Sequence, residues 1–126
     1  MIEYLGERAI TMTSDEKEVL AKKIADYLVQ NELQYMTAIY YNNIRLIWDC
    51  NLNKYIVAEG IRATDWIEYG NDEHICMTFE GDLYNVINCY GNTDELDKFD
   101  IFIESLGLSY ELGNAWNMVI YRKIKK

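Results

Sequence analysis

Two adjacent asparagines, Asn42 and Asn43, separate two runs rich in Tyr, Ile, Thr and Trp, residues 35 to 41 and 44 to 49. Such residues suit a pleated, half-buried surface. Asparagine tolerates the left-handed backbone that both central positions of a two-residue turn require, so the pair predicts a tight hairpin. A two-residue turn can join only antiparallel neighbours. Asn51-Leu52-Asn53 reads as the next turn, leading into a strand over 54–58 that continues to 61–67. Gly70-Asn71-Asp72 is a break before a strand at 74–79, and Gly113-Asn114 joins a closing hairpin of 108–112 and 115–123.

Helices read from a different period. Thr13 and Glu16 form a capping box ahead of a helix over 14–31, whose Leu20, Ile24, Tyr27 and Leu28 share one face. Glu18 and Lys22 add an i, i+4 ion pair, and Asn31 is a fitting terminator. Leu83, Val86, Ile87 and Tyr90 predict a short helix with Asp82 as N-cap and Gly91 just past its end. Thr93 caps another, with Asp94 and Glu95 in its first turn, Leu96, Phe99, Phe102, Ile103 and Leu106 on its core face, and Gly107 at its end. The fold class is α+β: one domain spanning 1–126, a mainly antiparallel sheet of about five to seven strands, and three helices packed largely on one face. Tyr35, Tyr41, Trp48, Trp66 and Trp116 supply bulk for a core or an interface.

Composition narrows the class. The 126 residues suit one domain, half are apolar, and there is no proline and no apolar run near the roughly 20 residues that cross a bilayer. Glu3 and Glu7 stand where a signal peptide wants cations. Cys50, Cys76 and Cys89 are odd in number and irregularly spaced, unlike a disulfide framework. Reduced thiols and a cytoplasmic location are therefore expected.

The net charge is −9, and its distribution is uneven. Residues 65–104 hold eleven acids against the single base Lys98, while the remainder is nearly neutral and ends in Arg122, Lys123, Lys125 and Lys126. Direct nucleic-acid binding needs a basic patch and is disfavoured; attraction to a cationic protein surface is favoured. A basic tail and an acidic segment on one chain can also pair between copies, so a homo-oligomer is open.

Candidates for chemistry are few. His74 is the one histidine, and no nucleophile signature surrounds Cys50, Cys89 or any serine. Asp72, His74 and Cys76 alternate and would share one face of a strand, but the paired short spacings of a zinc site are missing. Glu80 and Asp82 flank Gly81 at a strand end, where Asp82 is better explained as a helix cap. The glycines sit singly, without a phosphate-cradling loop. No catalytic residue, metal ligand or cofactor is assigned.

What local structure leaves over is a stripe on the last helix: Asp97, Asp100 and Glu104 at i, i+3 and i+7, opposite the apolar face. With Asp72 and Glu73 these are the candidate partner-binding residues, an array of carboxylates suited to Arg and Lys that ordinarily hold phosphates. Exposed tyrosines among Tyr40, Tyr41, Tyr55, Tyr69, Tyr84 and Tyr90 would suit the same role. In size, charge and coding style over its whole length, the chain resembles the small, acidic, proline-poor proteins of phages and mobile elements that inhibit host defence enzymes, such as anti-CRISPR and anti-restriction proteins. The resemblance implies a non-enzymatic inhibitor of a nucleic-acid-handling enzyme. Immunity proteins that neutralise basic toxins share the same composition, and a small hydrolase or metal-dependent enzyme around His74 and Cys76 is the alternative of another class.

Overall fold

The computed structural model describes residues 9–68, 70–91 and 93–123; Glu3, Glu7, Tyr69, Lys125 and Lys126 lie outside them. The elements in chain order are β1 (Ala9–Ile10), α1 (Ser14–Gln30), β2 (Thr37–Tyr41), β3 (Ile44–Asp49), β4 (Lys54–Glu59), α2 (Ala63–Trp66), β5 (Ile75–Phe79), α3 (Asp82–Ile87), α4 (Thr93–Ser105), β6 (Leu108–Asn114) and β7 (Asn117–Lys123). Asn42 and Asn43 do form the two-residue turn, with φ of 50° and 59°, and Tyr41 pairs with Ile44 across it.

The strands form one seven-stranded sheet, and every pairing is antiparallel. Ile120 pairs with Ile75 of β5 and with Tyr110 of β6, so these two strands flank β7 on opposite sides. Arg122 pairs with Ile10 and Leu108, which places the short β1 on the same side as β5. The order across the sheet is therefore β6, β7, β5, β2, β3, β4, with β4 and β6 as edges.

The main core lies on one face. Ile39, Leu46, Met77 and Met118 stand in one cross-strand row and meet Ile24 and Leu28 of α1, Leu83 of α3, and Phe99 and Ile103 of α4. Aromatic rings weld α4 to its neighbours: Tyr27 of α1 stacks on Phe102 with centroids 4.1 Å apart, and Phe99 meets Tyr110 of β6 edge-on at 5.6 Å. Lys98 adds a 2.7 Å bond to the Asn31 side chain at the end of α1. On the other face a smaller cluster of Ala38, Tyr40, Cys76, Val119 and Tyr121 is roofed by Ala63 and Ile67. Three helices thus share one face, as expected, and a fourth helical turn covers part of the other.

Several local expectations need correction. Residues 61–67 do not continue the strand: Gly60 turns left-handed at φ 72°, and α2 follows. Asp82 is the first helical residue of α3, behind Gly81 as N-cap. That helix ends at Ile87, because Cys89 takes φ 62° and the Tyr90 N–H returns to the Asn85 carbonyl at 2.8 Å, a Schellman closure without glycine. Thr93 is itself helical rather than the cap of α4. The last hairpin turns at Ala115-Trp116, two residues later than Gly113-Asn114, with a register irregularity between Leu112 and Asn114. Asn114 still directs the turn, its side-chain oxygen accepting from the Trp116 N–H at 2.9 Å.

The Thr13–Glu16 capping box forms as expected, with bonds of 2.9 and 3.1 Å. The Glu16 carboxylate also pairs with Arg122 of β7, tying the start of α1 to the sheet. Its pKa is held below the ordinary 4.5, first by the Thr13 N–H and then by Arg122. A lowered carboxylate pKa contributes stability that is complete above the unfolded value and is lost as pH falls through the folded one. Glu16→Gln should therefore be less stable than the wild type at neutral pH, with the gap closing in acid below 4.5. Denaturant titrations at a series of pH values measure this, and a pH-independent gap would refute it.

A second prediction concerns Gly81, where an added Cβ would meet the Tyr35 carbonyl oxygen at 2.5 Å. Backbone cannot yield as a flexible side chain can, so Gly81→Ala should cost about 1–3 kcal/mol in urea unfolding.

Candidate functional site

Every one of the eleven acids between Asp65 and Glu104 is exposed. Exposure does not make them equivalent. Asp65 pairs with Arg62 at 3.0 Å. Asp72 accepts from the Thr64 N–H and hydroxyl at 3.2 and 2.7 Å, so its carboxylate organises α2. Glu73 lies beside His74 and offers its backbone carbonyl to Lys17 at 3.4 Å. Asp72 and Glu73 sit in the loop entering β5, apart from the helical stripe in the chain and bound to other elements.

The stripe itself is real. Asp97, Asp100 and Glu104 project from α4, whose inner face is anchored by buried Phe99 and Ile103. Asp100 accepts from the Tyr110 hydroxyl at 2.6 Å; burial first, and then this acceptor, push the Tyr110 phenol pKa well up. The carboxylates of Asp97 and Glu104 make no hydrogen bond or ion pair among the described residues, although the Glu104 backbone carbonyl accepts from the Gly107 N–H. Asp100 and Glu104 also line a groove of about 300 Å³ between α4 and β6, with Ile103, Leu108 and Tyr110.

Sequence reasoning missed the centre of this face. Ile101 is 70% exposed, four residues after Asp97 and three before Glu104, so helical spacing places it between them. A large exposed apolar residue ringed by charge is the pattern of an interface anchor. The signal was available as an isoleucine off the core period of Leu96, Phe99, Ile103 and Leu106. Of the tyrosines, Tyr40 and Tyr41 are buried, whereas Tyr90 is 71% exposed and stacks beside Tyr84. Trp66 is also exposed, lying under the Arg45 guanidinium at 5.3 Å from its ring.

The alternation Asp72, His74, Cys76 does not converge. Cys76 is fully buried, and its sulfur contacts the Asn71 backbone N–H and carbonyl, each at 3.3 Å. Among the described residues no group of three His, Cys, Asp or Glu side chains is arranged to hold a metal ion. His74 is buried, and its Nδ1 has no hydrogen-bond partner in the protein. It borders a cavity of about 10 Å³ shared with Asn42 and Asp72, a space for a water-sized group. Burial lowers the His74 pKa, keeping the ring neutral near neutral pH. No helix among the described residues is long and apolar enough to cross a membrane.

No known protein family, curated protein or solved structure matches the chain.

Burial pushes the Cys76 thiol up to about 11, while Cys50 and Cys89 are exposed. The thiolate is the reactive form. A disulfide reagent at neutral pH should therefore modify Cys50 and Cys89 in the folded protein and Cys76 only after denaturation. Rapid labelling of Cys76 in the native state, read by peptide mass, would contradict its placement.

Proposed function

We propose that the protein is a non-enzymatic acidic binder that occupies a basic, phosphate-accepting surface of a nucleic-acid-handling host defence enzyme, through the outer face of α4. The observation that carries this reading is the pairing of chemistry on that face: Ile101, 70% exposed, between the unbonded carboxylates of Asp97 and Glu104. A solvated helix needs the charges but has no use for the isoleucine. An interface uses both, the apolar residue to bury area and the carboxylates to take the Arg and Lys that otherwise hold phosphates.

The roles divide among the residues first singled out. Asp97, Asp100 and Glu104 belong to the binding face with Ile101, and Asp100 is steadied by Tyr110. Asp72 is placed in the architecture of α2. Charge complementarity of this kind chiefly sets association rate and orientation, so affinity should weaken as salt screens the carboxylates.

The test is a panel of purified restriction endonucleases and CRISPR effector complexes, each assayed for nucleic-acid binding with and without the protein. At least one should lose nucleic-acid binding. The Asp97→Lys/Asp100→Lys/Glu104→Lys variant should restore it, and Ile101→Ala alone should weaken inhibition by roughly tenfold or more, the scale of a central interface residue. Inhibition that survives the triple charge reversal unchanged would sink this reading.

A further inference from the structure

The two edges of the sheet differ. β6 carries an irregularity between Leu112 and Asn114 and lies against α4. Such devices protect an edge from pairing with another chain. β4 is regular from Lys54 to Glu59, matched residue for residue with β3, and has no second partner strand among the described residues. It has no proline and no bulge.

Which of its backbone groups are free follows from the hairpin before it. A two-residue turn at Asn42-Asn43 makes Tyr41 and Ile44 a hydrogen-bonded pair. Alternation then points Arg45, Ile47 and Asp49 toward β4. The 3.1 Å bond from the Ile61 N–H to the Asn43 carbonyl lies on that same side. Their partners Ala58, Ile56 and Lys54 are thereby engaged, and Tyr55, Val57 and Glu59 turn their N–H and C=O groups outward. All three side chains stand on the helix-covered face. Val57 is 61% exposed there, and Tyr55 borders a groove of about 450 Å³ with Lys22, Val29, Leu46, Trp48 and Lys54.

We propose that β4 pairs antiparallel with β4 of a second copy of this chain, about a two-fold axis through Val57. Residues directly opposite in an antiparallel pair must both turn their backbone groups toward each other or both away, and an axis at Val57 meets that condition along the strand. Val57 then faces its twin, and each Tyr55 faces the other copy's Glu59, all three using their free backbone groups. Glu59 of one copy arrives beside Tyr55 of the other, at the rim of a groove bordered by Asp26 and by Lys22, which pairs with Glu18 at 2.9 Å. A second copy thus supplies in one strand the backbone set and an apolar side chain for Val57, as an isologous interface requires.

Sedimentation velocity on the full chain tests this, alongside two variants. The wild type should sediment at twice the chain's mass, dissociating on dilution. Val57→Lys should sediment as a monomer with an unchanged far-UV spectrum. Val57→Cys in a Cys50→Ser/Cys89→Ser background should form a disulfide-linked dimer on mild oxidation, because only this register sets position 57 opposite itself. If Val57→Lys fails to fold, the cysteine variant decides alone. A wild type that is monomeric at every concentration, a dimer that survives Val57→Lys, or a dimer in which Val57→Cys does not cross-link would each overturn the proposal.

Discussion

The left-handed pair Asn42-Asn43 decides how every strand beyond it is used. Its turn makes Tyr41 and Ile44 a bonded pair, and strand alternation carries that choice through the sheet. In β2 it turns Ile39 and Tyr41 toward the helices and Ala38 and Tyr40 toward the smaller cluster. In β3 it commits the backbone of Arg45, Ile47 and Asp49 to β4, leaving Tyr55, Val57 and Glu59 as the free side of the edge. A slip of one residue would move each of these side chains to the other face. Core and edge are therefore consequences of one local conformation.

Coverage of that sheet is unequal, and the inequality locates the surfaces that remain to be explained. α1 packs on β2, and α4 packs on β6 and α3. On the helix-side surface of β4, Tyr55 shares a groove with Lys22 and Val29 of α1, whereas Val57 two residues on stands exposed. Around α4 the situation is reversed. The inner face is deeply held by Phe99, Phe102 and Ile103 against Tyr27 and Tyr110, so the helix can carry mutually repelling carboxylates outside without leaving the sheet. A rigidly seated helix presents charge and an isoleucine in fixed geometry, which limits what ordering a partner must impose on binding.

Much of this was legible in the chain because the signals were local. The Thr13–Glu16 box, the Asn31 stop and the apolar period of α1 each act within one turn of helix, and the structure follows them. The short α2 was not legible, since residues 61–67 are apolar enough for a strand. What breaks the strand is the left-handed Gly60, and what holds the helix is Asp72 reaching back to Thr64. That bond ties the exposed Asp72 carboxylate to α2, a role its charge alone could not reveal. The final turn moved to Ala115-Trp116 because Asn114 acts through its side chain, accepting from the Trp116 N–H, rather than through its own backbone. Ile101 went unnoticed for the opposite reason: a core-directed reading looks for apolar residues that keep the period, and the informative one breaks it.

The acidic face and the β4 edge lie at opposite ends of the strand order, since α4 packs on β6. Pairing through β4 would consume neither Ile101 nor the carboxylates beside it. It would instead set two acidic faces at the far ends of one continuous sheet, at a separation fixed by strands rather than by a flexible linker. A rigid pair of sites raises effective concentration only for a target whose own basic surfaces match that spacing. A two-fold symmetric enzyme, or one with repeated basic grooves, would meet that condition, whereas an isolated basic patch would engage one face and gain nothing from the second. The geometry of the sheet thereby adds a selectivity that charge alone lacks: carboxylates attract any cationic surface, but only a suitably spaced pair is held by both.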